Sequence, residues 1–175
     1  GTPPLLIGLC EIENARVLTD LTQYSPLKAM NYRFVHFDSP DRRGIDTGLL
    51  YQRTLFRPFH SEPLAVRFRD YPQSTTRDIL YVAGVFYGTD TLHVFVCHFP
   101  SRLGGELQSE SKRCDAAAVL KAKTDSIISV STNAKIVIMG DFNDYPDNKS
   151  ITQVLQALIF QKIGRAVQQE CRDRS

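Results

Sequence analysis

Residues 135–144 read KIVIMGDFND, an apolar run that passes directly into a polar one. The apolar part, Ile136 to Met139, is short and rich in β-branched residues, which is typical of a buried strand. Gly140 permits a sharp turn after that strand. Asp141 and Asn143 lie two residues apart, so their side chains leave an extended chain on the same side. The pattern predicts a strand whose end presents an acid and an amide in a loop.

Two further apolar runs end in polar residues in the same way. They are LLIGLCEIEN at residues 5–14 and TLHVFVCHFPSR at residues 91–102. The polar residues at their ends are Glu11, Glu13, His98, Ser101 and Arg102. Functional sites of layered α/β folds collect where strand ends open into loops, because the sheet holds loop residues in fixed positions. Carboxylates and an amide from three such ends favour Mg²⁺, whereas zinc would require more histidine or cysteine ligands.

The remaining segments alternate between strand and helix patterns. Asn14 caps a helix whose apolar face reaches Met30, and a second helix spans Ser109 to Ser129. Strands are also predicted in YRFVHF (32–37) and IDTGLLYQR (45–53), and the second of these has an expected hairpin partner near 60–68. A loop follows over 68–77, and residues 78–88 and 91–99 form an antiparallel hairpin. A last helix begins at Ile151. This order predicts an α/β (α+β) layered sandwich. We expect one domain over residues 1–158, and residues 159–175 form a tail of unassigned structure.

Composition excludes several classes of protein. The chain has 175 residues, of which 42% are hydrophobic and 23% charged, so disordered and collagen-like architectures are excluded. Its longest apolar runs are too short to cross a bilayer. The net charge of +2 neither demands nor excludes a polyanionic partner. The four cysteines, at positions 10, 97, 114 and 171, have no zinc-type spacing and predict no disulfide framework.

Four motifs together resemble the endonuclease/exonuclease/phosphatase superfamily, which has the deoxyribonuclease I-like fold. The motifs are IGLCEIEN, RRGIDTGLLYQR, CHFPSRLGGE and IVIMGDFND, and they occur in the order that the superfamily shows. The resemblance runs from about Leu5 to Leu158 and is strongest for a bacterial subgroup.

The resemblance implies a role for each matching residue. Glu11 matches the metal-binding glutamate, and His98 matches a residue near the scissile phosphate. Asp141 and Asn143 match the pair that contacts the phosphate and orients the attacking water. The residues expected to lie near the substrate are Ser101, Arg102, Asp46 and Arg43. Arginine suits such a position because its guanidinium group binds phosphate oxygens in pairs.

The implied activity is hydrolysis of a phosphate ester by in-line attack of water, with Mg²⁺ as cofactor and Mn²⁺ as the alternative ion. The substrate class stays open between nucleic acid and a small phosphodiester, phospholipid or sugar phosphate. The compartment stays open between the cytoplasm and export. The chain lacks the superfamily's opening strand and its late Ser-Asp-His motif, so we expect an incomplete domain. The alternative function is therefore an inactive truncated fragment or a pseudoenzyme that acts at most as a binding module.

Basic and histidine residues outside the motifs have simpler interpretations. The arginines at 57, 67, 69 and 77 suggest a strip that faces nucleic acid, but the acids interspersed among them favour a solvated surface. We interpret His36, His60 and His93 as structural.

Overall fold

The computed structural model describes residues 3–156, and its elements follow the predicted order of strands and helices. They are β1 (Leu6–Ile12), α1 (Ala15–Gln23), β2 (Tyr32–His36), β3 (Asp46–Gln52), β4 (Phe56–Leu64), β5 (Ile79–Phe86), β6 (Asp90–His98), α2 (Glu106–Val130) and β7 (Lys135–Asp141). A 3-10 turn occupies Pro26–Met30, and a π-helical turn occupies Ser150–Leu155.

The strands form two sheets. In the first, β3 lies between β1 and β2 and is antiparallel to both. In the second, the order is β4-β5-β6-β7, in which β4, β5 and β6 are antiparallel and β7 is parallel to β6. Helix α2 makes the crossover that this parallel pair requires. As a result, β6 and β7 end at the same edge of their sheet.

Alternation of apolar side chains along the strands produces four layers. Leu49 of β3 packs between the two sheets, whereas its neighbour Leu50 packs with Leu18 of α1. In β5, Val82 faces the first sheet, and Tyr81 lies in the cluster that contains Leu120 of α2. The layers are therefore α1, the three-stranded sheet, the four-stranded sheet and α2. This arrangement confirms the predicted layered α+β sandwich.

Two boundaries differ from the sequence prediction. The first helix ends at Gln23 rather than near Met30, because Pro26 cannot continue an α-helix and restricts the residue before it. The hairpin predicted between β3 and residues 60–68 is wrong. Both edges of β3 are occupied by β1 and β2, so β4 pairs with β5 in the other sheet instead.

Near its end the described chain contains part of the last predicted helix, at Ser150–Leu155. Residues 157 and 158 of that helix, and the predicted tail at 159–175, lie outside the described residues. The boundary of the domain at residue 158 therefore stays a prediction. Over residues 3–156, no helix combines the length and the apolar character that a membrane span needs.

Candidate active site

The ends of β1, β6 and β7 meet at one edge of the sandwich. His98, the last residue of β6, lies opposite Asp141, the last residue of β7. The backbone N–H of Phe99 donates to the carbonyl of Asp141 at 2.8 Å. The Cys10 thiol of β1 donates to the carbonyl of Cys97 in β6 at 3.4 Å, which ties the first sheet to the second. The three polar strand ends found in the sequence therefore come together.

Glu11 occupies an unusual backbone position in β1. A β-bulge lies between Cys10 and Ile12, and Glu11 adopts a left-handed φ of 61°. Such a conformation is costly for a residue with a long side chain, and bulges often redirect a side chain next to a functional site. The Glu11 side chain is exposed and accepts no hydrogen bond from any residue in the described range. The bulge thus leaves a free carboxylate at the strand end.

Gly140 permits β7 to approach β6 closely. Its φ is 129°, and a Cβ atom at this position would lie 1.9 Å from the carbonyl oxygen of Cys97. Every other residue type would therefore push the two strand ends apart. The sequence prediction of a sharp turn at Gly140 is wrong, because Gly140 lies within β7, which continues to Asp141, and glycine is required there by the close approach to β6.

The loop after β7 holds Asn143 in place. Asn143 has a left-handed φ of 49°, which asparagine tolerates better than most residues. Its backbone N–H donates to Oδ1 of Asp141 at 2.8 Å, and its side-chain Nδ2 donates to the carbonyl of Phe99 at 2.9 Å. Its Oδ1 accepts no hydrogen bond from a described residue and therefore remains available to a ligand.

His98 is only 6% exposed, and its Nδ1 has no hydrogen-bond partner among residues 3–156. Burial lowers the pKa of the imidazole, because a low-dielectric environment disfavours the charged ring, and the nearby guanidinium of Arg77 lowers it further. Asp141 and Glu11 act in the opposite direction. The ring is therefore neutral at pH 7, and one of its nitrogens is unsatisfied.

Arg77 has a structural role that its local sequence did not predict. This residue is 5% exposed, so its assignment to a solvated surface is wrong, whereas Arg57, Arg67 and Arg69 are exposed as predicted. Its guanidinium donates to the carbonyls of His98 at 3.1 Å and Phe99 at 2.8 Å. Nothing in the local sequence separates Arg77 from the other three arginines.

The carboxylate partner of Arg77 comes from the loop between β2 and β3. Its Nη1 lies 2.9 Å from Oδ2 of Asp41. Burial lowers the pKa of Arg77, and Asp41 opposes this effect. The pair thus fixes the end of β6 to the loop that carries Arg43.

Ser101 is exposed, whereas Arg102 is held by the protein itself. The Nε of Arg102 donates to the carbonyl of Asn143 at 2.8 Å, and its Nη1 lies 3.5 Å from Glu106. Its guanidinium carbon also lies 4.4 Å from the centre of the Tyr145 ring. In this arrangement Arg102 supports the loop that contains Asn143.

Asp46 and Arg43 differ in their exposure to solvent. Asp46 is 4% exposed, and its Oδ1 accepts hydrogen bonds from the backbone and hydroxyl of Ser39. Its Oδ2 lies 3.1 Å from Nε2 of His36. Arg43 is exposed, with its Nε 3.6 Å from Asp41, and its charge lowers the pKa of His98. Asp46 therefore orders the loop from within, whereas Arg43 presents a cation near the site.

A second buried arginine lies beneath the Asn143 loop. Arg113 of α2 is 0% exposed, and its Nε lies 2.6 Å from Oδ1 of Asp144. Its other nitrogens donate to the Ser109 hydroxyl and to the carbonyl of Glu106. The sequence contained a signal for this residue, because Arg113 falls on the helical stripe shared by Ala116, Ala117 and Leu120. A cation on a core-facing stripe indicates a buried ion pair.

The donor atoms at the strand ends fit a hard cation. The exposed carboxylates of Glu11 and Asp141 and the free Oδ1 of Asn143 are oxygen donors of the kind that Mg²⁺ and Mn²⁺ prefer. Ligand atoms of His36, Asp38 and Asp46 also lie within 4.8 Å of one another. Both oxygens of Asp46 already accept hydrogen bonds, however, so that cluster is occupied by protein groups.

Comparison with solved structures shows the deoxyribonuclease I-like fold. The human nocturnin catalytic domain with bound sulfate anion has 16% identity and a TM-score of 0.67, over 85% of this chain and 55% of that chain. Truncated Caenorhabditis elegans TDP2 has 18% identity and a TM-score of 0.62, over 86% and 53%. ANGEL2, a 2′,3′-cyclic phosphatase, has 16% identity and a TM-score of 0.66, over 84% and 41%.

The chain spans about half the length of these solved relatives. Among curated protein sequences, none matches the chain. The family model described as Endonuclease/Exonuclease/phosphatase family matches residues 1–169, which is nearly the whole chain. With its strand ends arranged as described above, this chain belongs to the Endonuclease/Exonuclease/phosphatase family.

Proposed function

We propose that this protein hydrolyses a phosphate ester by attack of water, with a divalent metal ion at the edge where β1, β6 and β7 end. The observation that carries the proposal is the convergence of Glu11, His98, Asp141 and Asn143 from three separate strand ends. Each of the four retains a free polar atom, although the backbone around them is tightly hydrogen-bonded. Unsatisfied polar groups on a rigid support are characteristic of binding and catalytic sites.

The ligands seen in the solved relatives support this proposal. The nocturnin structure contains a sulfate anion, one ANGEL2 structure contains adenosine-2′,3′-vanadate, and a D. rerio TDP2 structure contains a single-strand DNA product. Sulfate, vanadate and the phosphates of DNA all carry several negatively charged or polar oxygens around a central atom. A site for such an oxyanion in this chain is consistent with the free oxygen ligands of Glu11, Asp141 and Asn143 and with the exposed cation of Arg43.

In this proposal Glu11 and Asp141 would hold the metal ion, with Asn143 beside them. A bound Mg²⁺ or Mn²⁺ neutralises charge on the phosphate and stabilises the leaving oxygen. The exposed guanidinium of Arg43 attracts the substrate's negative charge toward the site. Ser101 is exposed in the loop after β6, and in this proposal its hydroxyl would donate to the substrate.

Asn143 and His98 act on the attacking water and on the phosphate. The free Oδ1 of Asn143 accepts a hydrogen bond from the water and thereby orients its oxygen. Since the pKa of His98 is lowered, its ring is neutral and donates a hydrogen bond to a phosphate oxygen without carrying charge. Arg102 and Arg77 hold these two residues in position through hydrogen bonds to the carbonyls of Asn143 and His98, and Asp46 orders the loop between β2 and β3.

The experiment compares the native chain with Asp141→Ala in hydrolysis of bis(p-nitrophenyl) phosphate, with Mg²⁺ and Mn²⁺ in turn. We expect Asp141→Ala to lower kcat/KM at least about 100-fold, because it removes a charge at the reacting centre. Asp90→Ala, at the opposite end of the sheet, is the matched control and retains full activity. Native turnover by Asp141→Ala would remove this residue from the mechanism.

A second substrate separates the remaining alternatives. Hydrolysis of a single-stranded oligonucleotide that falls steeply between 50 and 200 mM salt indicates a nuclease, because phosphate contacts release counterions. Hydrolysis that is insensitive to salt indicates a small phosphate ester. If a correctly folded native chain binds Mn²⁺ but hydrolyses neither substrate, the binding-only alternative replaces this proposal.

A further inference from the structure

Tyr145 is an exposed aromatic residue two positions after Asn143. Tyr145 is 59% exposed and lies directly beside a site composed of charged and amide groups. None of the site residues predicted from the sequence is a tyrosine, phenylalanine or tryptophan. An exposed ring at this place therefore needs its own explanation.

The ring is held in a fixed position from one side. The guanidinium carbon of Arg102 lies 4.4 Å from the ring centre, so the cation covers one face of Tyr145. The same guanidinium donates to the carbonyl of Asn143 at 2.8 Å and lies 3.5 Å from Glu106. Arg102 thus connects the ring directly to the backbone of a proposed site residue.

The backbone of Tyr145 is fixed as well. Its N–H donates to Oδ1 of Asn148 at 2.6 Å, and the N–H of Asn148 donates back to the Tyr145 carbonyl at 3.0 Å. The Asn148 side chain also donates to Glu106 at 3.0 Å. Since both the turn and one ring face are held, a ligand that stacks on the other face costs little conformational entropy.

The charged residues around the ring favour a nucleobase over an acyl chain as the ligand. Arg102, Glu106 and Asp144 lie around it, and burying these charges under an acyl chain would be unfavourable. A nucleobase combines a π face, which stacks on aromatic rings, with polar edges that remain hydrated. A sugar or inositol ring has no π face and would contact the tyrosine only through its C–H groups.

We propose that Tyr145 is the stacking surface for the nucleobase of a phosphate ester bound at the neighbouring site. This inference rests on the proposed function and names its substrate class as nucleotides or single-stranded nucleic acid. Arg102 is a positioning residue in this arrangement, because it holds Tyr145 and the Asn143 backbone and does not itself contact the base.

The test measures binding of dAMP and of deoxyribose 5-phosphate to the full chain by isothermal titration calorimetry with Mg²⁺, while phosphate release is monitored. Tyr145→Ala is expected to weaken dAMP binding about 5- to 150-fold, the range for base stacking on an aromatic residue, and to leave deoxyribose 5-phosphate within about twofold. Tyr145→Phe keeps the π face and retains dAMP affinity, whereas Tyr145→Leu behaves like Tyr145→Ala.

Tyr24→Ala is the matched control, because Tyr24 is 81% exposed at the end of α1, and it changes neither affinity. Equal binding of dAMP by the native chain and Tyr145→Ala would overturn the inference. So would a parallel loss of both ligands, which would indicate that the ring only supports the loop. Binding that depends on Tyr145 without any hydrolysis of ester substrates would contradict the proposed function but leave this inference standing.

Discussion

The four-stranded sheet has polar residues at both ends, but the two ends are constructed differently. At the end where β6 and β7 begin, Lys135 pairs with Asp90, and both side chains are about half exposed. A cleft of about 320 Å³ lies beside this pair. At the end where the strands terminate, Arg77 and Arg113 are buried and pair with Asp41 and Asp144.

The buried arginines are the feature that distinguishes the proposed site. Each of them donates to backbone carbonyls as well as to a carboxylate, so it fixes the chain around it. An exposed ion pair contributes little free energy and imposes little order, because water competes for both groups. Polar residues at a strand end are therefore common, whereas a rigid polar strand end needs buried support.

The largest expected effect comes from Gly140→Ala. The added Cβ would meet the Cys97 carbonyl at 1.9 Å and would also occupy a φ of 129°. Because overpacking and backbone strain each cost about 1–3 kcal/mol, we expect the free energy of unfolding to fall by about 3–5 kcal/mol, measured by urea denaturation. Activity toward phosphate esters should be lost at temperatures where the variant is still folded.

Gly88→Ala is the matched control at the other end of the sheet. Gly88 has a φ of 80° in the turn between β5 and β6, but no atom lies within 4 Å of its added Cβ. It therefore reports the backbone strain alone, about 1–2 kcal/mol, with no loss of activity. Equal destabilisation by the two substitutions would show that the close approach of β7 to β6 is unimportant.

Arg113→Met should destabilise the protein by a similar or slightly smaller amount. It removes a cation that is 0% exposed and leaves the buried carboxylate of Asp144 with only the longer, 3.8 Å contact to Nη2 of Arg102 as a charge partner. Breaking such a pair from one side costs about 3–5 kcal/mol, and thermal and urea unfolding measure this cost. Lys135→Met breaks the exposed pair with Asp90 and should cost less than about 1 kcal/mol.

The double substitution Arg113→Met and Asp144→Asn provides a further check. It removes both charges together, so part of the lost stability should return. A double variant that is less stable than Arg113→Met alone would contradict the view that the buried charge causes the loss.

The smallest effect is expected for Asp78→Asn and depends on pH. Burial raises the pKa of Asp78 above its ordinary value of 3.8; a hydrogen bond from the Val66 N–H opposes the rise, and the charge of Asp46 adds to it. Oδ1 of Asp78 has no hydrogen-bond partner among residues 3–156 and borders a void of about 10 Å³. A carboxyl group with a raised folded-state pKa destabilises the fold progressively as pH rises from 3.8 through that pKa.

We therefore expect Asp78→Asn to increase stability by about 1 kcal/mol at pH 7.5, and the increase should shrink as the pH is lowered through the raised pKa of Asp78 toward 3.8. Differential scanning calorimetry across this range measures the change in Tm. Asp38→Asn is the control, because that side chain is 90% exposed and should show no such dependence. A gain that grows as the pH falls would have the wrong sign for this explanation.

Local sequence patterns were sufficient to predict most elements and the three polar strand ends on which the proposed site depends. The runs around Glu11, His98 and Asp141 predicted three strand ends, and the structure brings all three to one edge. Arg113 was also predictable in principle, because its helical spacing from Ala116 and Leu120 puts it on a core-facing stripe. These features depend only on neighbours within a few residues.

Other features depend on contacts between distant parts of the chain. The pairing partners of β3 could not be predicted from local sequence, because the residue patterns of β1 and β4 are both compatible with pairing to β3. Only the packing of the layers decides that β3 pairs with β1 and β2. Arg77 could not be separated from Arg67, since burial is decided by the loop that contributes Asp41 from 36 residues away. The left-handed φ of Glu11 arises from a bulge against β3 and has no local signal.

The order of elements, the alternation that produces four layers and the identity of the polar strand ends all follow from the amino-acid sequence, because hydrophobic periodicity and turn residues act over short distances. Tertiary structure alone decided which strands pair, which arginines are buried and which atoms of Glu11, His98 and Asn143 remain free. Burial and hydrogen-bond satisfaction are properties of the packed chain, since they require groups that are far apart in sequence to exclude water together.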